Sequence, residues 1–467
     1  MQVFNTLGRA LDTFAPLQQA KVGIYVCGPT VQARPHLGHG RAAVSFDVIR
    51  RYLEWRGLKV TYVQNVTDVE DKIIAAAAEE GVTPAELALR FADAFEDAYA
   101  RLGVRAPTIA PRATDHIPEM LEMIEQLIER GHAYESSGDV YFAVRSFPGY
   151  GRLSGRDIDE LKSGARIELG EVKRDPLDFA VWKSAKPGEP SWESPWGAGR
   201  PGWHIECSAM ARKYLGDTFD IHAGGADLIF PHHENEIAQS EAALGVPFAR
   251  YWLHNGLVNL KGEKMSKSTG HVVDLVDILN EYPYQAIRLF YLRTHYRKPL
   301  DFSDEAMDDA VGSLDRLWAF RRRAFGLVED PADEATIEAF RVAMDDDFDT
   351  AGALAALFDA VREGNRRLDA GDDPAGLVAA FDEIVEVLGI AEEPASLDDI
   401  RAAIVAIADQ FGIGGASLER TVEELVERRS AARDAKDWAT ADAIRESLGA
   451  VGVVIEDVRD GARWHRR

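Results

Sequence analysis

The pattern that most constrains the fold is a buried strand, a helix and a second buried strand near the start of the chain. Residues 22–27 form an apolar run rich in β-branched side chains, which is typical of a parallel strand. Apolar residues then recur at helical spacing from 36 to 55, and residues 60–63 have the composition of another strand. Such a unit has its ligand crevice at the carboxyl ends of the strands. We therefore predict an α/β protein with a Rossmann-like parallel sheet and a site beside Cys27.

A chain of 467 residues exceeds the size that one hydrophobic core usually supports, so several domains are expected. Residues 79–103 and 112–131 have amphipathic helical patterns, whereas 219–222 and 251–254 resemble strands that return to the sheet. The predicted parts are a Rossmann-like domain at 1–111 and 199–255, a connective insertion at 112–198, a connecting region with a mobile lysine loop at 256–304, an α-helical bundle at 305–410 and a small C-terminal unit at 411–467.

Composition and charge limit the compartment and the kinds of ligand that we expect for this protein. Only two cysteines occur, Cys27 and Cys207, which indicates a reducing compartment. Because the chain has neither a leader-like start nor an apolar run that could span a bilayer, we expect a cytoplasmic protein. The net charge of −25 argues against indiscriminate coating of nucleic acid, since lysine and arginine dominate phosphate binding. Residues 301–400 carry 8 basic and 27 acidic residues, whereas 418–467 carry 10 and 11, so a nucleic acid could contact the ends of the chain.

Two short motifs far apart in the chain indicate a nucleotide site. In Pro35-His36-Leu37-Gly38-His39-Gly40-Arg41, small residues stand where a helix begins, so backbone N–H groups and imidazoles can approach a phosphate. Gly38 and Gly40 are expected to let the ligand come close. Lys264-Met265-Ser266-Lys267-Ser268 supplies two lysines.

Each motif alone has an ordinary interpretation. Two histidines three residues apart are more often solvated or bound to a metal, and the lysine motif could be a basic surface loop. Together, on opposite sides of an α/β fold, they favour an enzyme that activates a carboxylate with ATP.

Two cysteines, a histidine and a glutamate form a second constellation. His232 and Glu236 are four residues apart in a predicted helix and so share a face. Cys207 offers one thiolate, and Cys27 offers another at the end of the first strand. These donor types suit Zn²⁺. The four are far apart in sequence and lack the Cys-x-x-Cys spacing of structural zinc sites, so two inert buried thiols are an equally good interpretation.

The nucleotide motifs resemble the signature motifs of class I aminoacyl-tRNA synthetases, whose first motif usually has isoleucine at the position of Leu37. That change conserves side-chain volume. The resemblance implies that an amino acid carboxylate attacks the α-phosphorus of ATP, that pyrophosphate leaves, and that the amino acid passes to the terminal adenosine of tRNA. The residues implied to stabilise the developing charge, with Mg²⁺ on the phosphates, are His36, His39, Lys264 and Lys267. The implied ATP contacts are Gly38, Asn255 and Lys267.

Longer motifs narrow the resemblance to the cysteinyl-tRNA synthetase family. Residues 199–210 and 231–236 are similar to that family's sequences, and the similarity extends over nearly the whole chain. In that family zinc lies in the amino acid pocket, and the matching ligands are Cys27, Cys207, His232 and Glu236. The positions that match substrate contacts are Thr67, Trp203, His222 and Asp227, of which Asp227 would hold the ammonium group. The positions that match anticodon contacts are Arg433, Trp438, Asp442 and Asp457, which would offer a stacking surface and polar groups to unpaired bases.

Each of these positions also has a purely structural interpretation. Tryptophans are often core residues, and a buried histidine is often only a satisfied polar group. The alternatives are a helix cap for Thr67, a core position for Trp203 and Trp438, a buried imidazole for His222, a loop cap for Asp227, a solvated charge for Asp442 and a turn for Asn255.

The resemblance implies one Zn²⁺ per chain and Mg²⁺ with ATP as cofactors, L-cysteine and tRNA(Cys) as further partners, no membrane, and a monomer. Zinc prefers sulfur and can hold the substrate thiol as a thiolate, whereas the hydroxyl of serine is a poorer ligand. An apolar pocket separates close analogues by only about 10- to 200-fold, so we expect metal recognition to replace a separate editing site.

Two other functions stay open at this point. One is a ligase that joins cysteine to an amino sugar, as in the mycothiol pathway, which should lack the complete C-terminal unit. The other is a noncatalytic tRNA- or zinc-binding module. The second is disfavoured because both nucleotide motifs keep their charged residues.

Overall fold

The computed structural model describes residues 1–158, 173–260, 263–264, 273–324, 331–391, 397, 400–415, 417–458 and 461–466. The chain divides into two compact units, Met1–Ala391 and Glu392–Arg467. In chain order the strands are β1 (Gln2–Asn5), β2 (Ala10–Thr13), β3 (Lys21–Val26), β4 (Lys59–Gln64), β5 (Ala133–Ser136), β6 (Asp139–Phe142), β7 (Phe179–Ser184), β8 (Gly199–Pro201), β9 (Phe219–Gly225), β10 (Ala249–Asn255), β11 (Val258–Leu260), β12 (Glu263–Lys264), β13 (Leu300–Phe302), β14 (Val453–Val458) and β15 (Gly461–Arg466).

The α-helices account for most of the remaining described residues. In chain order they are α1 (Leu37–Trp55), α2 (Asp71–Glu80), α3 (Pro84–Arg101), α4 (Ile117–Glu129), α5 (Trp203–Leu215), α6 (Glu234–Leu244), α7 (Leu275–Glu281), α8 (Tyr284–Leu292), α9 (Asp304–Arg323), α10 (Glu334–Asp345), α11 (Thr350–Ala370), α12 (Ala375–Leu388), α13 (Arg401–Phe411), α14 (Leu418–Asp434) and α15 (Trp438–Ala450). None of these helices combines the length and the apolar composition that a membrane crossing requires.

A four-stranded parallel sheet forms the centre of the first unit, in the order β10, β9, β3, β4. The register places Tyr25 of β3 opposite His222 of β9 and opposite Val63 of β4. Apolar residues of these strands are buried in two clusters, as expected for a sheet covered on both faces. The predicted α/β class and Rossmann-like parallel sheet are confirmed, and all four strands end at the same edge.

Helix α1 connects β3 to β4 and begins at the first nucleotide motif. Its N-cap is His36, whose side chain accepts a hydrogen bond from the N–H of Gly38. The helix ends shortly before Gly57, whose φ of 81° lies in the left-handed region. Its apolar face, which includes Val44 and Val48, is fully buried. Helical spacing predicted this element correctly.

The helix predicted at 79–103 is present as α3, but its predicted start is wrong, because α3 begins at Pro84 and the end of α2 occupies positions 79 and 80. Helix α2 ends at Gly81, whose φ of 72° reverses the chain, and α3 starts after Thr83. Thr83 and Glu86 form a reciprocal capping box, and Pro84 occupies the first helical position. Apolar spacing continues through this boundary, whereas the glycine and the cap mark it.

A separate antiparallel sheet forms between α3 and α5, with the strand order β5, β6, β7, β8. The side chains of Val140, Phe142 and Trp182, which belong to this sheet, are fully buried. The chain passes from β8 into α5 at Gly202, where a Cβ atom would lie 2.0 Å from the carbonyl oxygen of Ala180. Helix α5, which carries Cys207, therefore packs directly on this inserted sheet.

Helices α9 to α12 complete the first unit and share its apolar core with α1. The second unit contains α13, α14, α15 and the hairpin of β14 and β15 around a separate core that includes Ile404, Val422 and Ile444. The division at 391/392 places α13 with the second unit, whereas the bundle was predicted to extend to 410. The hairpin was not predicted.

Gly28 and Gly312 provide a matched pair of substitutions with opposite expected effects. A Cβ atom at Gly28 would lie 1.5 Å from the backbone oxygen of Asn65, which cannot rotate away, so Gly28→Ala should lower the free energy of unfolding by roughly 3 kcal/mol. A Cβ atom at Gly312, inside α9, meets nothing within 4 Å, so Gly312→Ala should raise it by about 0.5–1 kcal/mol. Urea unfolding beside the wild type tests both, and a fully stable Gly28→Ala protein would contradict this packing.

Candidate functional site

A cavity of about 530 Å³ opens at the edge where the four parallel strands end. Each strand contributes the residue at or just beyond its last position, namely Cys27, Gln64, Gly225 and Asn255. Parallel α/β sheets place their ligands at this edge. The predicted site residues that line the cavity are Cys27, His36, Gly38, His39, Trp203, Asp227 and Asn255.

The four predicted metal ligands come together around Cys27, behind the cavity wall. One donor atom from each of Cys27, Cys207, His232 and Glu236 lies within 4.8 Å of the others. The two sulfur atoms are 3.6 Å apart, and Cys27 Sγ is 3.4 Å from Oε1 of Glu236. His232 Nε2 is 3.0 Å from the same carboxylate oxygen. Cys27 is half-buried and the other three are buried, so the cluster meets the cavity at Cys27.

Burial and mutual contact set the ionisation of these groups. Burial and the neighbouring Cys207 hold the pKa of the Cys27 thiol well above its usual value. Burial raises the pKa of Cys207, but hydrogen bonding with Cys27 and His232 outweighs it and lowers that pKa to about 6. Burial opposes ionisation of Glu236 and of His232, yet His222 and His232 hold the pKa of Glu236 well below its usual range, while Glu236 raises that of His232 to about 10. The cluster thus combines opposite charges that stabilise each other in a buried position.

His222 and His233 form a second group with two of the same residues. One donor atom from each of Cys27, His222, His233 and Glu236 also lies within 4.8 Å of the others. His222 Nε2 is 2.9 Å from Oε2 of Glu236, and His233 Nε2 is 3.2 Å from Cys27 Sγ. His233 was not predicted as a site residue, although its position next to His232 in the 231–236 motif was an available signal.

The histidines of the first motif stack on each other, with ring centroids 3.6 Å apart. The N–H of His36 donates to Nδ1 of His39, and the N–H of Gly38 donates to Nδ1 of His36. The expectation for Gly40 is wrong, because Gly40 is buried and does not line the cavity. A Cβ atom there would lie 2.8 Å from the hydroxyl of Tyr291, so this glycine serves helix packing.

Trp203, Asp227 and Asn255 form parts of the cavity wall. The Trp203 ring stacks on the imidazole of His232 with centroids 4.2 Å apart, so it covers the metal-ligand cluster. Asn255 is buried at the end of β10; its Nδ2 donates to the oxygen of Gly256, while its Oδ1 has no hydrogen-bond partner among the described residues. This buried acceptor is available to a ligand, and its contact with a nucleotide stays a prediction.

Thr67 and His222 lie behind the cavity wall. Thr67 is buried, and its hydroxyl accepts a hydrogen bond of 3.2 Å from Asn65. His222 is fully buried against Glu236. Both side chains therefore contact residues that surround the cluster, and their direct contact with a substrate stays a prediction.

The second nucleotide motif lies largely outside the described residues. Lys264 pairs with Asn259 in the short ladder of β12 and β11, and Lys267 is outside the described part of the chain. Beyond the motif, the oxygen of Val273 accepts a hydrogen bond from the N–H of Leu37 at 3.1 Å. Val273 is thus bonded to the start of α1.

The predicted anticodon positions lie on three elements of the second unit. Trp438 begins α15 with 56% of its surface exposed, which rules out the core interpretation. Asp442 is exposed one turn further along the same helix. Asp457 of β14 accepts hydrogen bonds from both Nη atoms of Arg429, at 2.7 and 3.1 Å, and pairs with Arg433 at 2.5 Å. Arg429 was not predicted, since nothing near it in sequence indicates the hairpin.

Solved structures show which fold the chain has. The Mycobacterium tuberculosis methionyl-tRNA synthetase in complex with methionyl-adenylate aligns with a TM-score of 0.58, covering 86% of this chain and 95% of that chain at 18% identity. The Agrobacterium radiobacter LeuRS in a ternary complex with tRNA and LeuAMS aligns with a TM-score of 0.58. That alignment covers 80% of this chain and 84% of the LeuRS chain at 12% identity. The fold is that of the class I aminoacyl-tRNA synthetases.

Sequence similarity identifies the family within this class. Residues 13–312 match the catalytic domain of "tRNA synthetases class I (C)", 339–392 the DALR domain, and 416–464 the cysteinyl-tRNA ligase anticodon binding domain. Cysteine-tRNA ligases of Desulforudis audaxviator and Halorhodospira halophila are each 50% identical to this chain. Both alignments cover 100% of this chain, and they include 100% and 99% of the two relatives, respectively. The chain belongs to the cysteinyl-tRNA synthetase family, enzymes that join cysteine to tRNA. The predicted resemblance and enzyme class are confirmed.

The Asp457 carboxylate should make the C-terminal unit sensitive to acid. Hydrogen bonds from Arg429, assisted by Arg433, lower the pKa of Asp457 to about 2, below the value of about 3.9 for an unfolded aspartate. The contact therefore stabilises the unit above about pH 4 and loses this effect as the pH falls towards 2. Asp457→Asn should speed hydrogen exchange in residues 417–458 relative to the wild type at pH 6, with a narrower gap at pH 3. Asp442→Asn is the exposed control; an equal gap at both pH values for Asp457→Asn would contradict this linkage.

Proposed function

We propose that this enzyme activates L-cysteine with ATP as cysteinyl adenylate and transfers the cysteinyl group to tRNA(Cys), with Zn²⁺ recognising the substrate thiol. The observation that carries the proposal is the composition of one cavity. Its wall extends from Cys27, where the sulfur-containing cluster begins, to His36 and His39 of the first motif. A cysteine whose thiol lies at the first end can present its carboxylate to a nucleotide at the other.

The donor set supports zinc at the cluster. Cys27 and Cys207 offer sulfur, His232 nitrogen and Glu236 oxygen, with donor atoms within 4.8 Å of one another, and these are the donor types that zinc takes in proteins. The alternative group offers only one sulfur, and the preference of zinc for thiolate favours the group that contains Cys207. When bound, Zn²⁺ supplies a Lewis acid that holds the substrate sulfur as a thiolate.

This chemistry explains how the enzyme would reject serine. The hydroxyl of serine is far harder to deprotonate than a thiol and is a poorer zinc ligand. Apolar contacts would discriminate by only about 10- to 200-fold. We therefore propose that the amino acid site selects cysteine without a separate editing site.

Residues of the cavity wall would orient the substrate. Asp227 is proposed to hold the ammonium group, and Trp203 to close the pocket over His232, on which it stacks. Thr67 and His222 are proposed to complete the pocket from behind, next to the groups that they contact.

The nucleotide would lie along the start of α1. In the proposed reaction, a carboxylate oxygen of cysteine attacks the α-phosphorus in line and pyrophosphate leaves; no general base is needed because the nucleophile is already ionised. Negative charge increases on the phosphoryl oxygens, so cationic and hydrogen-bonding groups stabilise the transition state. The proposed groups are His36, His39, Lys264 and Lys267, with Mg²⁺ on the phosphates, Gly38 close to the phosphates and the unpaired oxygen of Asn255 at the adenosine.

The C-terminal unit is proposed to read unpaired bases of tRNA. Trp438 offers an exposed ring for base stacking, and Asp442 lies on the same helix face. Arg433 and Asp457 are paired in the structure, so a base would contact them as a unit. A cytoplasmic monomer is part of the proposal, and both cysteines are free thiols, as a reducing compartment requires.

Single substitutions distinguish the two candidate ligand groups. His232→Gln and Cys207→Ser should each weaken zinc affinity by at least about 100-fold, because each removes a donor; His233→Gln should weaken it only about tenfold, as an outer contact of Cys27. Zinc affinity is measured by competition with a chelator, and cysteine-dependent pyrophosphate exchange is measured in parallel. The wild type should activate serine at least about 200-fold less efficiently than cysteine.

Three results would overturn this proposal or parts of it. Full cysteine activation with retained zinc in Cys207→Ser would exclude the ligand group that contains that sulfur. Zinc retained by His232→Gln but lost from His233→Gln would assign the metal to the alternative group. A wild type without cysteine-dependent exchange would reject the proposed activity itself.

Trp438→Ala should raise the KM for tRNA(Cys) about tenfold, because stacking of a base on an aromatic ring contributes roughly 1–3 kcal/mol. Since the side chain is exposed, stability and tRNA-independent pyrophosphate exchange should not change. Trp438→Phe, which keeps an aromatic ring, is the matched control and should retain most of the affinity. An unchanged KM in Trp438→Ala would exclude this contact.

A further inference from the structure

Arg41, the last residue of the first motif, has an environment that neither phosphate binding nor the metal cluster explains. Its side chain is fully buried, and no acidic residue of the described chain contributes to its ionisation. Burial lowers the pKa of Arg41 to about 10, so the guanidinium is still charged at neutral pH. A buried charge without a counter-ion is costly unless other groups solvate it.

Backbone oxygens from two segments solvate this guanidinium. Arg41 Nη1 donates to the oxygen of Leu257 at 3.2 Å. Nη2 lies 3.4 Å from the oxygens of His295 and Tyr296 and also contacts that of Lys298. One planar cation therefore joins residues 255–258 to residues 295–298.

The same two segments also contact each other directly. The N–H of Gly256 donates to the oxygen of Tyr296 at 2.7 Å, and the N–H of Leu300 donates to that of Leu257 at 2.9 Å. A Cβ atom at Gly256 would lie 2.3 Å from the oxygen of Lys298. Only glycine permits this approach, so the position of residues 255–258 depends on the segment that Arg41 holds.

Residues 255–258 form the side of the cavity on which the adenosine is proposed to lie. All four line the cavity, and the unpaired Oδ1 of Asn255 belongs to the first of them. Gly38, which lines the cavity near the phosphates, precedes Arg41 by one turn of α1. Arg41 thus links the helix that carries Gly38 to the segment that carries Asn255.

We propose that Arg41 is a positioning residue for the nucleotide: it holds the adenosine side of the pocket at a fixed distance from the start of α1. The inference rests on the proposed function, because it takes ATP as the ligand. This positioning role requires the planar guanidinium group and not only its positive charge. A lysine ammonium is a single point charge and cannot hold two segments in this geometry.

The test compares Arg41→Lys with Arg288→Lys. Arg288 is a second fully buried arginine, bonded to the oxygen of Gly103 and paired with Asp47 at 2.7 Å, and it does not line the cavity. Both variants should lose thermal stability. Only Arg41→Lys should raise the KM for ATP and the inhibition constants of adenosine and AMP by about tenfold, while kcat for pyrophosphate exchange and the KM for cysteine stay within about threefold.

The outcomes separate positioning from charge and from a merely structural role. An unchanged KM for ATP in Arg41→Lys overturns the proposal, because that variant keeps the charge but not the fork. Weaker binding of ATP with normal binding of adenosine also overturns it. If Arg41→Lys does not fold, Arg41→Gln, which is neutral but keeps two N–H donors in a plane, provides the same comparison of ATP with adenosine.

Failure of the proposed function would be seen separately. In that case the wild type gives no cysteine-dependent exchange, while equilibrium dialysis with ATP and adenosine still measures the pocket in all variants. Weaker dialysis binding of both nucleotides by Arg41→Lys, relative to Arg288→Lys, supports the positioning role even then.

Discussion

The site depends on one geometric constraint: four parallel strands end at the same edge of a single sheet. Because successive parallel strands have the same direction, the residues that follow β3, β4, β9 and β10 converge although long stretches of sequence separate them. The register that places Tyr25 opposite His222 brings the thiol of Cys27 to the carboxylate and imidazoles that follow β9. The metal-ligand cluster, through Cys27, and the nucleotide motif then meet the same cavity.

The cluster is electrostatically organised before an ion is considered. Glu236 contacts His222 on one oxygen and His232 on the other, and all three are almost completely buried. Removing one partner of such a buried pair commonly costs about 3–5 kcal/mol, because the remaining charge is left unpaired. These contacts hold the three side chains against one another, and a metal ion at the proposed site would displace protons from its ligands.

Local patterns in the sequence predicted the elements that local interactions determine. The apolar runs of β3 and β4 and the helical spacing of α1 depend on neighbours within one element. His232 and Glu236 are in contact, as their spacing predicted, although α6 begins only at Glu234 and His232 lies in the turn before it. The break between α2 and α3 was also readable, from Gly81 and the cap at Thr83, but apolar spacing alone continues across it.

Features that depend on contacts between distant parts of the chain could not be predicted in this way. The carbonyl oxygens around Arg41 come from two segments more than 200 residues away, and the pairing of Arg429 with Asp457 joins a helix to a strand 28 residues further along the chain. Gly40 was assigned to a ligand because its motif is rich in glycine, whereas its neighbour Tyr291 comes from another helix. Residue types suggested the four metal ligands, with inert thiols as an equally good interpretation, and the family resemblance then assigned them. The separation in sequence between Cys27, Cys207 and the His232–Glu236 pair does not itself indicate that they meet.

The position of β3 inside the sheet has a consequence for biosynthesis. β3 pairs with β4, which follows soon after it, and with β9, which is translated only after the whole inserted sheet. During translation, one edge of β3 therefore stays unpaired until β9 has been synthesised, and it can pair incorrectly with another strand. The nascent polypeptide also lacks its second cysteine until residue 207 has been added, and His232 and Glu236 follow later still. A growing chain therefore cannot assemble the proposed four-ligand site until the first half of the polypeptide has left the exit tunnel.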